Sequence, residues 1–215
     1  SFNYEKYLYN DNNMNGDLTF NTRGFQKNYN TNSDETVLIN DIKYSSFPKI
    51  NSTIDGLKTN YKLLLRNLNS NTENSDAFKN GDDQKLLSTI ILENELPLKK
   101  ENLNSISLLS PKFSARYSPN STKNNSNLNK SITYDSIFSL DRIDDTSVEG
   151  GGSLTLGTEY SLTDKKDQRI ISLSFANVLR VSENPDLPKL YGFSEKRSDF
   201  IGEFDFTPSK FFDLN

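Results

Sequence analysis

Three stretches of the chain hold residue types that could do chemistry. One runs Asp141-Arg142-Ile143-Asp144-Asp145, a second Glu149-Gly150-Gly151-Gly152, and the third pairs Glu93 with Glu95. Clustered Asp side chains suggest calcium, but a hard cation wants about six or more oxygens from a turn of defined spacing. No Asp-x-Asp-x-Asp-Gly run exists, so an ionic network of Asp141, Arg142 and Glu149 in a lumen or loop is the better reading. A glycine-rich phosphate loop needs a strand before it and a helix after it, usually with Lys and Ser/Thr. Here a strand pattern follows, so the glycines read as a flexible start or kink where a strand joins a wall. Glu93 and Glu95 share one face of a strand, as glycosidase acids would, yet they lack a partner constellation and read as a water-facing stripe. With no Cys and no His there is no thiol nucleophile, disulfide, zinc–thiolate site or imidazole base. No catalytic residue, cofactor or metal is therefore assigned, and the chain is expected not to be an enzyme.

The elements that must position these residues are strands. Apolar residues recur at period two, the signature of a strand with two different faces. In residues 153–162 the even positions are Leu154, Leu156, Thr158, Tyr160 and Leu162; the odd ones are Ser153, Thr155, Gly157, Glu159 and Ser161. Leu18 and Phe20 alternate with Asp17, Thr19 and Asn21. Leu57, Tyr61, Leu63 and Leu65 alternate with Lys58, Asn60, Lys62 and Arg66. Ile171, Leu173 and Phe175 face away from Ser172, Ser174 and Ala176, and Phe200, Phe204 and Phe206 from Ile201, Glu203 and Asp205. Further strands are expected near residues 35–46, 87–98, 104–117 and 131–141. Asn- and Ser-rich blocks at 10–15, 29–33, 67–83 and 120–130 read as loops, with long polar connections at 67–85 and 183–197 and a tight turn at 164–167. That gives about ten strands, several of about 9 to 12 residues, where soluble strands run to about 5 or 6 and bilayer-crossing strands to about 9 to 11.

Composition agrees. Hydrophobic residues make up 33%, mean hydropathy is −0.70, yet there are 14 Phe and 10 Tyr. An ordinary soluble core would be hard to build from this, and a disordered chain would carry fewer aromatics. A barrel wall needs apolar side chains on only one face of each strand, with aromatics at the membrane interfaces. No apolar run approaches the ~18 residues of a membrane helix. The net charge of −4 and pI near 5.0 give no basic footprint, so nucleic acid is not an expected partner. The expected fold is all-β, an antiparallel up-and-down meander forming part of a large outer-membrane β-barrel, with residues 1–215 as one partial barrel domain and no internal boundary. On pattern alone, a secreted β-sandwich, solenoid or adhesin module stays open beside it. The opening at Ser1-Phe2-Asn3-Tyr4 without Met, and the close at Phe211-Phe212-Asp213-Leu214-Asn215 as a strand begins, read as an internal fragment.

One order of motifs is more specific than periodicity. Ser136-Ile137-Phe138-Ser139-Leu140-Asp141-Arg142-Ile143-Asp144-Asp145 leads through Val148-Glu149-Gly150-Gly151 into Leu154-Thr155-Leu156-Gly157-Thr158-Glu159-Tyr160. Then follow Ile171-Ser172-Leu173-Ser174-Phe175-Ala176-Asn177, Leu187-Pro188, Gly192-Phe193, Ser198-Asp199-Phe200-Ile201-Gly202 and Thr207-Pro208. Upstream stand Leu96-Pro97-Leu98, Leu109-Ser110-Pro111-Lys112 and Tyr117-Ser118-Pro119. This resembles the barrel domain of the LPS-assembly protein LptD family, by these motifs over residues 90–215 and only weakly over 1–90, though Ala176-Asn177 stand where Gly-Gln is common. The resemblance implies lipopolysaccharide transport at the outer membrane rather than catalysis. It also implies a lipoprotein plug resembling LptE inside the barrel, and a periplasmic Lpt bridge reached through a jellyroll domain outside this fragment. The closing strand and lateral gate are expected outside it too, and the family's disulfide has no cysteines here. Asp141, Arg142, Glu149, Gly150, Gly157 and Asp199 match family motifs and are expected to hold wall geometry through turns and lumen ion pairs. A porin or receptor barrel, or a surface adhesin, is the alternative function.

Overall fold

The computed structural model describes residues 1–11, 16–29, 33–51, 53–75, 78–164, 169–209 and 212–214. The strands are β1 (Phe2–Asp11), β2 (Gly16–Tyr29), β3 (Ser33–Ser46), β4 (Lys49–Ile50), β5 (Lys58–Glu73), β6 (Gly81–Glu95), β7 (Leu98–Glu101), β8 (Ser105–Ser118), β9 (Gly151–Asp164), β10 (Arg169–Arg180), β11 (Ile201–Ser209) and β12 (Phe212–Leu214). They form one antiparallel sheet in the order β1-β2-β3-β5-β6-β8-β9-β10-β11-β12, with β4 appended to β5 and β7 to β8. Every long strand thus pairs with the next long strand in sequence, which is an up-and-down meander. The sheet is open among the described residues. No helix among them is long and apolar enough to cross a membrane.

Alternation decides which side chains meet which neighbours, because successive residues point to opposite faces. On one face, register lines Tyr44, Leu63, Ile90 and Tyr117 across β3, β5, β6 and β8. A second row runs Leu109, Tyr160, Leu173 and Phe204 across β8 to β11. Of these, Leu63, Ile90, Tyr117, Leu109, Leu173 and Phe204 are exposed, as are Tyr61, Leu65, Phe113 and Phe175 on the same face. The opposite face is covered, and its buried positions are largely polar: Asp41, Arg66, Thr89, Glu93, Ser114, Arg116, Thr155, Ser172 and Ser174. The sheet is therefore apolar outside and polar beneath its cover.

The cover comes from the connections at residues 119–150 and 181–200. Ile132, Tyr134, Ile137, Phe138 and Ile143 of the first pack with Leu187 and Phe193 of the second and with Ala176 and Val178 of β10. Val148 packs with Leu64 and Leu87. The strand expected near 131–141 is accordingly absent. That stretch is irregular, with a 3₁₀ turn at Ser136–Phe138. Tyr134, Ile137 and Phe138 are spaced to bury one side of a turn, and no neighbouring strand is offered to the backbone. The polar block 67–83 is a second correction. β5 runs on to Glu73 and β6 starts at Gly81, so only 74–80 connect them. Ladder bonding there does not depend on apolar side chains, and the amides pair locally, Asn69 Nδ2 donating to Asn67 Oδ1 at 2.6 Å. The expected turn at 164–167 lies, beyond Asp164, outside the described residues.

Leu63 and Leu64 differ only in face: Leu64 is buried and Leu63 is 37% exposed. In the refolded intact protein, Leu64→Ala should lower stability by about 2–5 kcal/mol. Leu63→Ala should change it by no more than about 1 kcal/mol, read as the shift in urea midpoint. Equal effects would sink the assignment of faces.

Candidate functional site: an ionic core beneath the covering loop

Charges on the covered face cannot stay buried alone, and register brings the first partners together. Asp41 on β3 lies directly opposite Arg66 on β5. Arg66 grips Asp41 through two bonds, Nε to Oδ1 at 2.8 Å and Nη2 to Oδ2 at 2.9 Å. Arg23 of β2 donates Nη1 to the same Asp41 Oδ2 at 2.8 Å. The loop then docks onto this cluster. Asp141 accepts from Arg66 Nη2 at 2.9 Å and from Lys43 Nζ at 3.0 Å. Arg66 Nη1 also donates to the Ser147 carbonyl at 2.7 Å, and Arg23 to that of Asp145.

A second cluster forms over β8, β9 and β10, where Arg116, Ser153 and Arg180 share one row. The loop's own Arg142 and Glu149 descend onto it. Arg142 holds Glu149 through Nε to Oε2 at 2.6 Å and Nη2 to Oε1 at 2.5 Å. It continues to Thr155 Oγ1 at 2.8 Å, Ser153 Oγ at 3.1 Å and the Ile137 carbonyl at 3.1 Å. Arg180 Nη2 lies 2.6 Å from Glu149 Oε1, and its Nε donates to the Phe193 carbonyl at 2.7 Å. Among the described residues no carboxylate pairs with Arg116, which instead clamps the loop backbone, donating to the carbonyls of Leu140 (2.9 Å) and Ser139. Burial alone would raise the Glu149 carboxyl. The guanidinium groups of Arg142 and Arg180 outweigh it and hold the group well below the usual carboxylate range. Burial also acts to raise Asp144, and the hydrogen bonds from Thr146 reverse it.

Asp141, Arg142 and Glu149, grouped as one network by their proximity in sequence, divide between the two clusters. Gly150 donates its N–H to Thr122 Oγ1 at 2.8 Å, and a Cβ there would collide with the Asn120 carbonyl oxygen. Gly157 lies under the loop: a Cβ would come within 2.9 Å of the Phe138 ring. Gly151, with φ +82°, adopts the left-handed turn that starts β9. Asp199 sits apart from both clusters, its backbone N–H donating to the Tyr191 carbonyl at 2.9 Å. Glu93 departs from the water-facing stripe: it is buried and bonded to Lys62 Nζ at 2.8 Å, because its parity is that of the covered face. Sequence reading missed the roles of Asp41, Arg23, Lys43, Arg116 and Arg180. The available signal was parity, since Asp41 and Arg66 each interrupt a run of alternate apolar residues (Val37 and Ile39; Leu64 and Leu68).

Among the described residues no group of three or more carboxylates could hold a metal ion. Both ends of the Asp41 and Glu149 carboxylates are occupied by guanidinium groups, which leaves neither free to act as a base. The arrangement can fasten a loop to a sheet.

Removing one partner of a buried ion pair strands the other, at about 3–5 kcal/mol. Arg142→Ala should therefore expose residues 119–150 to protease. Protease resistance equal to that of the unaltered protein would overturn that role. A carboxyl held below its ordinary 4.5 contributes stability that is complete above that value and lost as pH falls toward the lowered one. Protease resistance of residues 119–150 should thus be flat from neutrality to about pH 5 and fall only in stronger acid. A loss already near neutral pH would contradict the Glu149 pairing.

No curated protein matches the chain. The sequence does match a family model over residues 1–215, which extends beyond the motif-bearing stretch to the strands that build the Asp41 and Arg66 cluster. That model is LptD, LPS transport system D, and the chain belongs to this family.

Proposed function

We propose that this chain forms part of the wall of a lipopolysaccharide translocon barrel in the outer membrane. Its apolar rows face lipid, and its covered face is turned to the lumen. The observation that carries this reading is the inversion of the sheet. Cross-strand rows such as Tyr44-Leu63-Ile90-Tyr117 lie on the exposed face, while Asp41, Arg66, Arg116 and Arg180 lie on the buried one. A soluble sandwich buries its apolar face; a barrel wall in lipid exposes it. Family membership supports transport and assembly of lipopolysaccharide as the task. An LptE-like lipoprotein inside the barrel and a periplasmic bridge are the partners this reading requires.

The polar face is not simply a wet lining, since residues 119–150 lie against much of it. The lumen beside β5 to β10 is then filled by the chain itself, and the path for sugars and phosphates runs past this cover.

Leu63→Lys and Leu173→Lys place a charge in the apolar rows, which costs about 2–4 kcal/mol near the bilayer midplane. Both should reduce outer-membrane recovery and heat-modifiable gel mobility, and with them surface lipopolysaccharide. Full recovery of both variants, or a water-soluble and cooperatively folded chain without detergent, would replace the wall with a surface module. Intact assembly with solute uptake but no lipopolysaccharide crosslinking would favour a porin.

A further inference from the structure

The sheet steps down between β6 and β8. β6 pairs with β5 along its whole length, from Gly81 to Glu95, yet its other edge meets β8 only from Ile90 to Glu95. In an antiparallel ladder, successive residues turn their N–H and C=O to opposite neighbours. Asn120 marks which residues of β6 turn away from β5: its Oδ1 accepts from the Ser88 N–H at 2.8 Å, and its Nδ2 donates to the Leu86 carbonyl at 3.1 Å. The register of β6 on β5 is unbroken, so the same parity puts the N–H of Leu86 and both backbone groups of Gln84 and Asp82 on the open edge. Among the described residues no strand pairs with these groups.

The Asn120 carboxamide carries the donor and acceptor of a peptide unit, and it bonds β6 as the end of an added strand would. Beyond it the edge continues as a template for strand addition. Side chains define what fits. On the outward side stand Leu86, 69% exposed, and Asp82, which accepts from Asn71 Nδ2. On the covered side lies a cavity of about 320 Å³, lined by Leu68, Phe78 and Leu87 and by Lys79, Lys85 and Lys123, with no carboxylate. Lys123 is engaged by the Phe78 ring, by Thr146 Oγ1 and by the nearby Asp144 carboxylate, and Lys85 pairs with Asp83 at 3.1 Å. Lys79 is exposed at the rim. Charge thus disfavours an acid beside Asp82 and favours one on the covered side, while Leu86 offers an apolar neighbour on the outward side.

We propose that the open edge of β6, from Asp82 to Leu86, is a docking site for an extended segment of a partner polypeptide. The segment alternates acidic residues, turned toward the lysine-lined cavity, with apolar residues turned outward beside Leu86. The backbone edge carries the site and the lysines select the occupant. The inference goes beyond the transport reading and does not use it.

The test uses the intact protein in detergent, with a photo-crosslinking residue in place of the exposed Ser121. The probes are three short synthetic peptides: an alternating Glu-Val peptide, the same peptide N-methylated throughout, and an alternating Lys-Val peptide. The Glu-Val peptide should crosslink, and each of the others at least about tenfold less, the loss expected when several backbone or charge-assisted bonds are forfeited. Gln84→Pro removes an N–H that faces the open edge and leaves the β5 ladder intact. It should weaken Glu-Val crosslinking about tenfold with unaltered heat-modifiable mobility. Lys79→Glu should narrow the gap between the Glu-Val and Lys-Val peptides. Crosslinking of the N-methylated peptide at the level of its parent would overturn backbone pairing, whatever Gln84→Pro does to folding. Equal crosslinking of the acidic and basic peptides would overturn the acidic partner, and no peptide crosslink at all would overturn the site. Delivery of lipopolysaccharide to the cell surface reports on the transport reading separately from each of these results.

Discussion

Burying charge without water sets the terms for this structure. Because the outward positions are apolar, the inward positions carry the polar and ionic residues, and each of these needs a partner. Cross-strand register supplies one such pair, Asp41 with Arg66. Neighbouring strands add Arg23 to Asp41 and Lys62 to Glu93, and residues 119–150 meet much of the rest by bringing Asp141 to Arg66 and Glu149 to Arg180. The loop is therefore a component of the sheet's electrostatics. Replacing such pairs by well-packed apolar residues would often be neutral or stabilising, whereas leaving one member alone is costly. What the ionic design adds is a defined docking position, since a fork-shaped guanidinium fits a carboxylate in few orientations.

The same constraint explains the glycines and the cation count. A loop that descends far enough for Arg142 to reach Ser153 and Thr155 must bring its backbone close to neighbours, and Gly150 and Gly157 leave that space. The second cluster sets Arg142 and Arg180 around one carboxylate, with Arg116 beside them. Arg116 is accommodated because the loop presents backbone carbonyls to it. The interior is thus biased toward positive charge. Carboxylate and carbonyl oxygens saturate these fixed guanidinium groups, so the excess charge is spent on holding the loop.

Much of the fold was legible because period-two alternation is a direct consequence of the pleat. Leu173 and Phe175 against Ser172 and Ser174 named a strand and its two faces together. Alternation fails where the chain leaves the band of apolar outward side chains. Residues 67–73 looked like loop because Asn is depleted in strands, yet backbone pairing with β3 and β6 continued past the last apolar side chain. Residues 131–141 looked like strand because they are moderately apolar, and their i, i+3, i+4 spacing at Tyr134, Ile137 and Phe138 was the contrary signal. The ionic core was half legible. Asp141, Arg142 and Glu149 stood out by their motif, but their partners come from strands up to 98 residues away, as with Lys43. No local pattern could pair them.

Parity could have gone further than motifs. In a strand whose outward positions are apolar, a charge on the other parity is committed to the covered face, and it must find an opposite charge on the same parity of a neighbour or on whatever covers it. Arg66 satisfies both conditions at once, with Asp41 beside it and Asp141 above it. Glu93 satisfies the first through Lys62. Arg116 satisfies neither with a carboxylate, so its side chain demanded carbonyl oxygens, and only an irregular segment turns unpaired carbonyls toward a sheet. A buried arginine without an acidic partner in register thus implies that a non-strand segment lies over it. Here that segment is the loop holding Ser139 and Leu140.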